Sequence, residues 1–176
     1  GSPGKAVMDE VRFRDEVTGA DMAAVRGIVG SSGFFSAEEI DVAEELVREN
    51  LTRGLASGYF FVLADDRCGQ TLGYACYGPV PCTTGTFDLY WIAVRQEARK
   101  TGLGRALLAQ VEVRVSSRGG RKLIAETSSR PQYEPTRAFY LACGFQEEAR
   151  IREYYAPGED ILYFTKTMAP HSTCGT

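Results

Sequence analysis

The sequence contains very little histidine and no closely paired cysteines. His171 is the only histidine among 176 residues, and the five cysteines, at positions 68, 76, 82, 143 and 174, form no CxxC pair. Zinc sites and disulfide frameworks need repeated, closely spaced ligands of these two types. We therefore expect no bound metal, cysteines that act as small buried or loop residues, and a reducing, cytoplasmic location.

Long hydrophobic runs and an excess of positive charge are also missing. The longest apolar stretches are strand-sized, far short of the roughly 20 residues of a spanning helix, so no membrane partner is expected. The net charge of −3 argues against a general nucleic-acid surface. The length favours one domain, over residues 11–168, between a vector remnant and flexible lead at 1–10 and a polar tail at 169–176.

Hydrophobic periodicity predicts a mixed α/β chain with elements in the order β-α-α-β-β-β-α-β-α-β-β. Residues 11–17 alternate apolar and charged side chains, as a half-buried strand does. Asp21 is the predicted cap of the first helix, and Ser36 with Glu39 forms a capping box for the second. The three following strands are expected to be antiparallel, the strand-helix-strand unit after them parallel, and the last two strands a hairpin.

The most informative segment is FDLYWIAVRQEARKTGLGRALLAQVEVRV, residues 87–115, where an apolar strand leads through a basic loop into an amphipathic helix. Glycines in this loop let the backbone approach a ligand, and the start of the helix presents N–H groups and the positive end of its dipole. The same turn is crowded by basic side chains, at Arg95, Arg99, Lys100 and Arg105. This grouping favours an anion such as a pyrophosphate.

Spacing narrows the kind of phosphate loop. No GxxxxGK string followed by Ser or Thr is present, and the third position of a GxGxxG dinucleotide fingerprint falls on Leu107. The remaining pattern, RxxGxG at Arg99, Gly102 and Gly104, resembles the coenzyme A signature of the GNAT superfamily of acyl-CoA N-acyltransferases. A basic helix start on a solvated surface is the alternative explanation of the same residues.

A second segment, YEPTRAFYLACGF at residues 133–145, resembles the closing motif of that superfamily. Tyr140, Gly144 and Phe145 are in register with it, whereas Tyr133 replaces a frequent asparagine, so a side-chain amide contact to the coenzyme should be absent or replaced. The resemblance covers residues 11–168 and implies a single-domain GNAT fold of the α/β (α+β) class. That fold has a mixed, mostly antiparallel seven-stranded sheet flanked by four helices.

The resemblance implies an N-acetyltransferase that transfers an acetyl group from acetyl-CoA to a primary amine of a small molecule or amino acid derivative. It also implies that the pantetheine arm lies along an exposed edge of the strand that ends at Val94, and that the protein could be a homodimer. The implied coenzyme contacts are Ile92, Ala93, Val94, Arg99, Lys100, Thr101, Gly102, Leu103, Gly104, Arg105, Tyr133 and Tyr140.

Catalytic roles follow from the same resemblance. Asp88 lies six residues before Val94, where several family members carry a catalytic glutamate, so it is the candidate base, acting directly or through water. Tyr140 is the candidate acid that protonates the departing thiolate. The alternatives are that Asp88 only solvates the start of a strand and that Tyr140 is a core aromatic residue.

The acceptor site is expected near the first two helices and the closing hairpin. Phe34, Phe35, Tyr154 and Tyr155 could form an aromatic wall, and Asp88 and Glu126 are candidate substrate contacts. Glu38 or Glu39 could attract a cationic amine. Ordinary loop packing explains these residues equally well. Two other functions stay open: a transferase of the same fold that uses an aminoacyl-tRNA donor, the one case with a nucleic-acid partner, and a catalytically silent acyl-CoA-binding module.

Overall fold

The computed structural model describes residues 10–169, which contain seven strands and four helices in the predicted order. In chain order these are β1 Arg12–Arg14, α1 Asp21–Gly30, α2 Ala37–Arg53, β2 Phe60–Asp65, β3 Thr71–Pro79, β4 Thr86–Val94, α3 Leu103–Ser117, β5 Lys122–Ser128, α4 Glu134–Ala142, β6 Gln146–Ala156 and β7 Glu159–Thr167. The predicted hairpin at the end of the chain is confirmed as β6 and β7.

One seven-stranded sheet contains all the strands, in the order β1-β2-β3-β4-β5-β7-β6. The pairs β1/β2, β2/β3, β5/β7 and β6/β7 are antiparallel, while β4 and β5 are parallel. The parallel pair is the predicted strand-helix-strand unit, since α3 makes the crossover between β4 and β5. The prediction of a mixed, mostly antiparallel sheet is therefore confirmed.

The chain divides into two compact units, and β4 contributes to both. The first comprises the residues up to Gly78 with Trp91–Val111, and the second comprises Pro79–Tyr90 with the residues from Glu112 onward. In the first unit, α1 and α2 bury an apolar stripe against β2 and β3. Its fully buried members include Val25, Ile28, Val47, Leu63 and Tyr74. The predicted capping box at the start of α2 is present, because Ser36 and Glu39 exchange side-chain to backbone hydrogen bonds.

The prediction that Asp21 caps α1 is wrong, because its carboxylate is directed elsewhere. Asp21 is the buried first residue of α1, and it accepts hydrogen bonds from the Arg14 guanidinium, at 2.7 and 2.8 Å, and from the Thr18 amide. Burial opposes ionisation of Asp21, but the hydrogen bonds from Arg14 and Thr18 outweigh it and lower the pKa of the carboxyl. The charged pair ties the short strand β1 to α1.

The second unit buries one face of β5 and β7 under α4. Tyr140 on α4 stacks on Phe164 of β7, and its ring also lies against Phe145, with centroids 5.9 and 5.3 Å apart. The two strands of the closing hairpin differ sharply, since five of the nine residues of β7 are buried and all eleven of β6 are exposed. The outer strand β6 therefore carries polar and aromatic side chains at the surface.

Candidate active site

The basic loop of the first unit is anchored at both ends by buried apolar residues. Ala98 and Leu103 are 5% and 1% exposed, and between them Arg99, Lys100 and Gly102 lie at the surface. A short 3-10 turn, Gln96–Ala98, precedes the loop, and the Thr101 hydroxyl donates to the Ala98 carbonyl. These contacts fix the conformation of the loop and leave its basic side chains exposed, as the sequence predicts for a phosphate site.

Backbone geometry in this loop favours close approach of a ligand. Gly102 has φ of +89°, which side chains rarely tolerate, and no atom lies within 4 Å of the position that a Cβ would occupy. Lys100 also has positive φ, +62°. Helix α3 begins at Leu103, so the amides of its first turn have no carbonyl acceptor within the helix. Gly104 and Arg105 lie in this first turn, where an anion is stabilised by the helix dipole.

Arg95 has a structural role that the basic cluster in the sequence does not reveal. Its Nε donates to the Thr71 carbonyl at 2.7 Å, and its guanidinium lies beneath α1, where a Cβ added to Gly27 would be 3.4 Å from Nη1. The Arg95 amide also donates to the Leu72 carbonyl. Arg95 therefore contacts both β3 and α1 within the first unit, which is a structural role.

The end of β4 carries the residues expected to contact the pantetheine arm. The parallel ladder between β4 and β5 runs from Thr86↔Lys122 to Leu89↔Ala125 in the second unit, and Ile92, Ala93 and Val94 follow it along β4 in the first unit. These three side chains are half-buried. On their other side β3 comes very close, because a Cβ at Gly73 would lie 2.9 Å from the Ala93 carbonyl oxygen. Sequence analysis gave Gly73 no role, since a strand glycine has no signature of its own.

In the second unit, Asp88 and Glu126 lie on one face of neighbouring strands. Asp88 on β4 is in register with Ile124 on β5, and Glu126 follows two residues later, so the three side chains point to the same side. Burial raises the pKa of Asp88, and burial followed by the nearby charge of Asp88 raises the pKa of Glu126. Glu126 is itself exposed, so its carboxyl combines a raised pKa with contact to solvent.

Tyrosines complete this acidic cluster. Tyr163 on β7 is directly opposite Glu126. Burial and then Glu126 raise the pKa of Tyr163, with smaller effects from Tyr154 and Asp88. Sequence analysis missed Tyr163, although the alternation of β7 places it on the face opposite the buried Leu162 and Phe164 and could have indicated its position.

Tyr140 is a buried residue of α4, 5% exposed, rather than a surface phenol. Burial, helped by Cys143, raises its pKa, so the phenol stays protonated at neutral pH. The end of its helix is held by Lys166, which donates to the Cys143 carbonyl at 2.8 Å and forms an ion pair with Glu112 at 2.6 Å. Tyr140 therefore packs as a core aromatic residue does. It also has a protonated phenol, as the role of an acid requires.

The four aromatic candidates for the acceptor site form two separate pairs. Tyr154 and Tyr155, 54% and 47% exposed, contact each other edge to face in the second unit, with ring centroids 4.9 Å apart. Burial and then Glu126 raise the pKa of Tyr155 to about 12. In the first unit, Phe35 lies between Phe34 and Trp91, at 5.2 and 5.1 Å, and packs against the apolar core.

The remaining candidates have limited support. Tyr133 ends the 3-10 turn Pro131–Tyr133, just before α4. Glu39 is used by the capping box of α2, while Glu38 is exposed. Residues 10–169 contain no group of three His, Cys, Asp or Glu side chains arranged to bind a metal. No helix in this part of the chain is long and apolar enough to span a bilayer.

Comparison with known proteins is consistent with this geometry. The family described as acetyltransferase (GNAT) domain matches residues 56–147, more than half of the 176 residues. A putative GNAT-family acetyltransferase of Desulfovibrio desulfuricans has a crystal structure that superposes with a TM-score of 0.88 at 50% identity, covering 90% of this chain and 99% of that one.

Two further proteins extend the comparison. An uncharacterized N-acetyltransferase of Methanocaldococcus jannaschii is 29% identical over 143 residues, 75% of this chain and 88% of that protein. An aminoglycoside 6'-N-acetyltransferase solved with coenzyme A shares the fold, with a TM-score of 0.71 at 17% identity over 91% of this chain and 97% of its own. With its sheet, its loop and these matches together, the chain belongs to the GNAT family and is an acyltransferase.

Proposed function

We propose that this protein transfers an acetyl group from acetyl-CoA to the primary amine of a small molecule or amino acid derivative. The observation that carries the proposal is the pairing of Asp88 and Glu126 on one face, where the structure raises the pKa of both carboxyls. A partly desolvated carboxylate is a better base than a solvated one, and it attracts a protonated amine.

The donor is proposed to bind through the loop of the first unit. The exposed side chains of Arg99, Lys100 and Arg105 and the first-turn amides of α3 suit a diphosphate. The end of β4 at Ile92–Val94 suits the two amides of a pantetheine arm, because these half-buried residues follow the β4/β5 ladder along β4 and strand backbone offers donors and acceptors.

The transfer needs one proton removed and one supplied. The acceptor must be a neutral amine, whereas a free alkylamine with pKa near 10 is mostly protonated at pH 7. In the proposal Asp88 takes that proton directly or through water, the amine nitrogen forms a bond to the thioester carbon, and the carbon-sulfur bond breaks. Tyr140 then donates its phenolic proton to the thiolate. The raised pKa keeps the phenol protonated in the resting site but makes donation to a thiolate costlier, and the cycle closes when Tyr140 regains a proton from water and Asp88 releases the one it took.

A screen of acceptors tests the proposal. Thiol release from acetyl-CoA would be followed with spermidine, 1,5-diaminopentane, pentylamine, tyramine, lysine, kanamycin and a peptide with N-terminal alanine, and products would be identified by mass spectrometry. We expect an amine-dependent release of coenzyme A that is lost in Asp88→Asn. Binding of acetyl-CoA without transfer to any amine would favour the silent module instead. Salt-sensitive binding of charged tRNA in place of acetyl-CoA would favour the aminoacyl donor.

A further inference from the structure

The β6/β7 hairpin contains a large register shift at one end. Ile151 pairs with Ile161, but the next matched pair is Ala156 with Glu159, so four residues of β6 oppose the single residue Asp160 of β7. Within this bulge, residues 152–155, Glu153 has φ of +52°, a conformation that costs free energy for a residue with a side chain. A conformation of this kind persists only where surrounding contacts enforce it.

Asp160 supplies those contacts. Its side chain is almost fully buried, at 9% exposure for the residue, and accepts from the Glu153 amide at 2.8 Å and from Arg150 Nε at 2.6 Å. Its own amide donates to Ser129 Oγ at 2.8 Å, and its carbonyl accepts from the Ser129 amide at 2.9 Å. Because Ser129 directly follows β5, Asp160 joins the bulge of β6 to the strand that carries Glu126.

The bulge presents Tyr154 and Tyr155 as a half-exposed pair of rings beside the acidic cluster. Glu126 is the charge that most affects the phenol of Tyr155, and Tyr163 lies opposite Glu126 in the ladder. Two arginines lie at the bulge: Arg150 forms an ion pair with Asp160, and the positive charge of Arg152, inside the bulge, also lowers the pKa of Asp160. A surface that combines tyrosine faces with carboxylates of raised pKa is suited to a cation. A nearby positive charge stabilises the ionised carboxylates and so offsets the cost that burial imposes on them.

We propose that the tyrosine bulge, with Glu126, is a subsite for a second ammonium group of the acceptor, and that Asp160 is the positioning residue that holds this subsite open. This inference rests on the proposed function, because it concerns the amine that receives the acetyl group. One amine meets the base Asp88 in neutral form, while a second amine on the same molecule stays charged against Tyr155 and Glu126. Acceptors with two amines are therefore preferred over those with one.

A matched pair of acceptors isolates the second ammonium group. Pentylamine and 1,5-diaminopentane differ only in the second amine, so the ratio of their kcat/KM values measures the subsite. We expect the diamine to be favoured by about tenfold, the size of one cation-π contact assisted by a carboxylate. The preference should appear mainly in KM, since the second ammonium takes no part in the chemical step.

Two variants connect that preference to the bulge. Tyr155→Leu keeps apolar bulk at a half-exposed position but removes the aromatic face, and Asp160→Ala releases the bulge. Both should reduce the diamine preference, measured as the ratio of the two kcat/KM values, to about twofold or less while leaving the Kd of coenzyme A nearly unchanged. Glu148→Gln is the control, because Glu148 sits at the other register shift of β6 and bonds Lys122 and Thr165. Its loss should lower stability and leave the preference intact.

The outcomes separate the two proposals. If the wild-type protein acetylates both amines equally, acetylates other amines of the screen but not the diamine, or retains its preference in both variants, the subsite is wrong while the transferase proposal stands. An equal loss of preference in Glu148→Gln would also overturn it, because the effect would then be a general loosening of the hairpin. If no amine in the screen is acetylated, the transferase proposal itself fails.

Discussion

The basic loop before α3 and the acidic tyrosine cluster are built in opposite ways. The loop is one continuous segment, Arg99–Arg105, and its chemistry comes from backbone geometry at a helix start with positive φ at Lys100 and Gly102. The cluster collects side chains from β4, β5, β6 and β7. Sites made by a local backbone leave a motif in the sequence, whereas sites made by strand register do not.

Electrostatics separates the two regions as well. In the cluster, burial and neighbouring charges raise the pKa of Asp88, Glu126, Tyr155 and Tyr163. The loop instead exposes the side chains of Arg99 and Lys100 to solvent, where an anion can reach them. The loop is thus suited to bind a ligand of fixed chemistry. The cluster is suited to transfer protons and to discriminate between acceptors.

The largest effect is expected from a bulky side chain placed in the loop, because it should affect the loop and not the cluster. Gly104→Trp places a large side chain in the first turn of α3, where an anion would approach the amides. We expect coenzyme A binding to become undetectable by calorimetry and transfer to stop, with the acidic cluster unchanged. A tight complex between this variant and coenzyme A would show that the diphosphate binds elsewhere.

Tyr140→Phe tests the chemistry of the second region without altering the first. Loss of a general acid costs roughly 10²- to 10⁴-fold, and we expect a fall in kcat of up to about a thousandfold, since the thiolate can still take a proton from water. Affinity for coenzyme A should change little. Phe139→Leu, on the same helix, is a control for altered aromatic packing. An unchanged kcat in Tyr140→Phe would remove this residue from the mechanism.

A pair of glycine variants sharpens the difference between backbone strain and ligand contact. Gly102 and Gly69 have φ of +89° and +83°, and both have open space where a Cβ would stand. Alanine at either position should destabilise the fold similarly, by about 1 kcal/mol. Only Gly102→Ala should also weaken coenzyme A binding, by about tenfold. Equal affinity in the two variants would mean that the ligand does not approach Gly102 closely.

The smallest expected effect is on the free energy of unfolding, which the half-buried Asp88 of the cluster lowers at neutral pH. Because the folded pKa of Asp88 is raised, its neutral form is favoured in the folded state, and stability is lost as the pH rises from the unfolded pKa through the folded one. Asp88→Asn should therefore raise the free energy of unfolding at pH 8, within about 1 kcal/mol, and have little effect at pH 3.

Asp21→Asn provides the opposite sign for that measurement. The lowered pKa of Asp21 contributes stability above its unfolded pKa that is lost as the pH falls through the folded value. The asparagine variant should lose stability at pH 8 and lose less at low pH. Urea denaturation at both pH values checks the two aspartates together, and a loss of stability at pH 8 in Asp88→Asn would contradict the desolvation argument.

The order of strands and helices followed from hydrophobic periodicity, because that pattern reflects burial of one face at a time. The capping box at Ser36 and Glu39 was also found, because it is an interaction between residues only three positions apart. Asp21 was misassigned because its competing partner, Arg14, lies on another element and is brought near only by folding. Tyr163 and Asp160 were passed over because each matters through a neighbour that is distant along the chain or lies across the sheet.

The GNAT motifs and the basic loop were readable from the amino acids alone, since a helix start and its glycines depend on residues adjacent in the chain. The placement of Glu126 beside Asp88, and the bulge that turns Tyr154 and Tyr155 outward, depended on how β4, β5, β6 and β7 align. A shift of one residue in any of these ladders would send the side chains to the opposite face. Only folding in three dimensions decided which of these side chains share a face, because strand register is a property of pairs of strands and not of either sequence segment by itself.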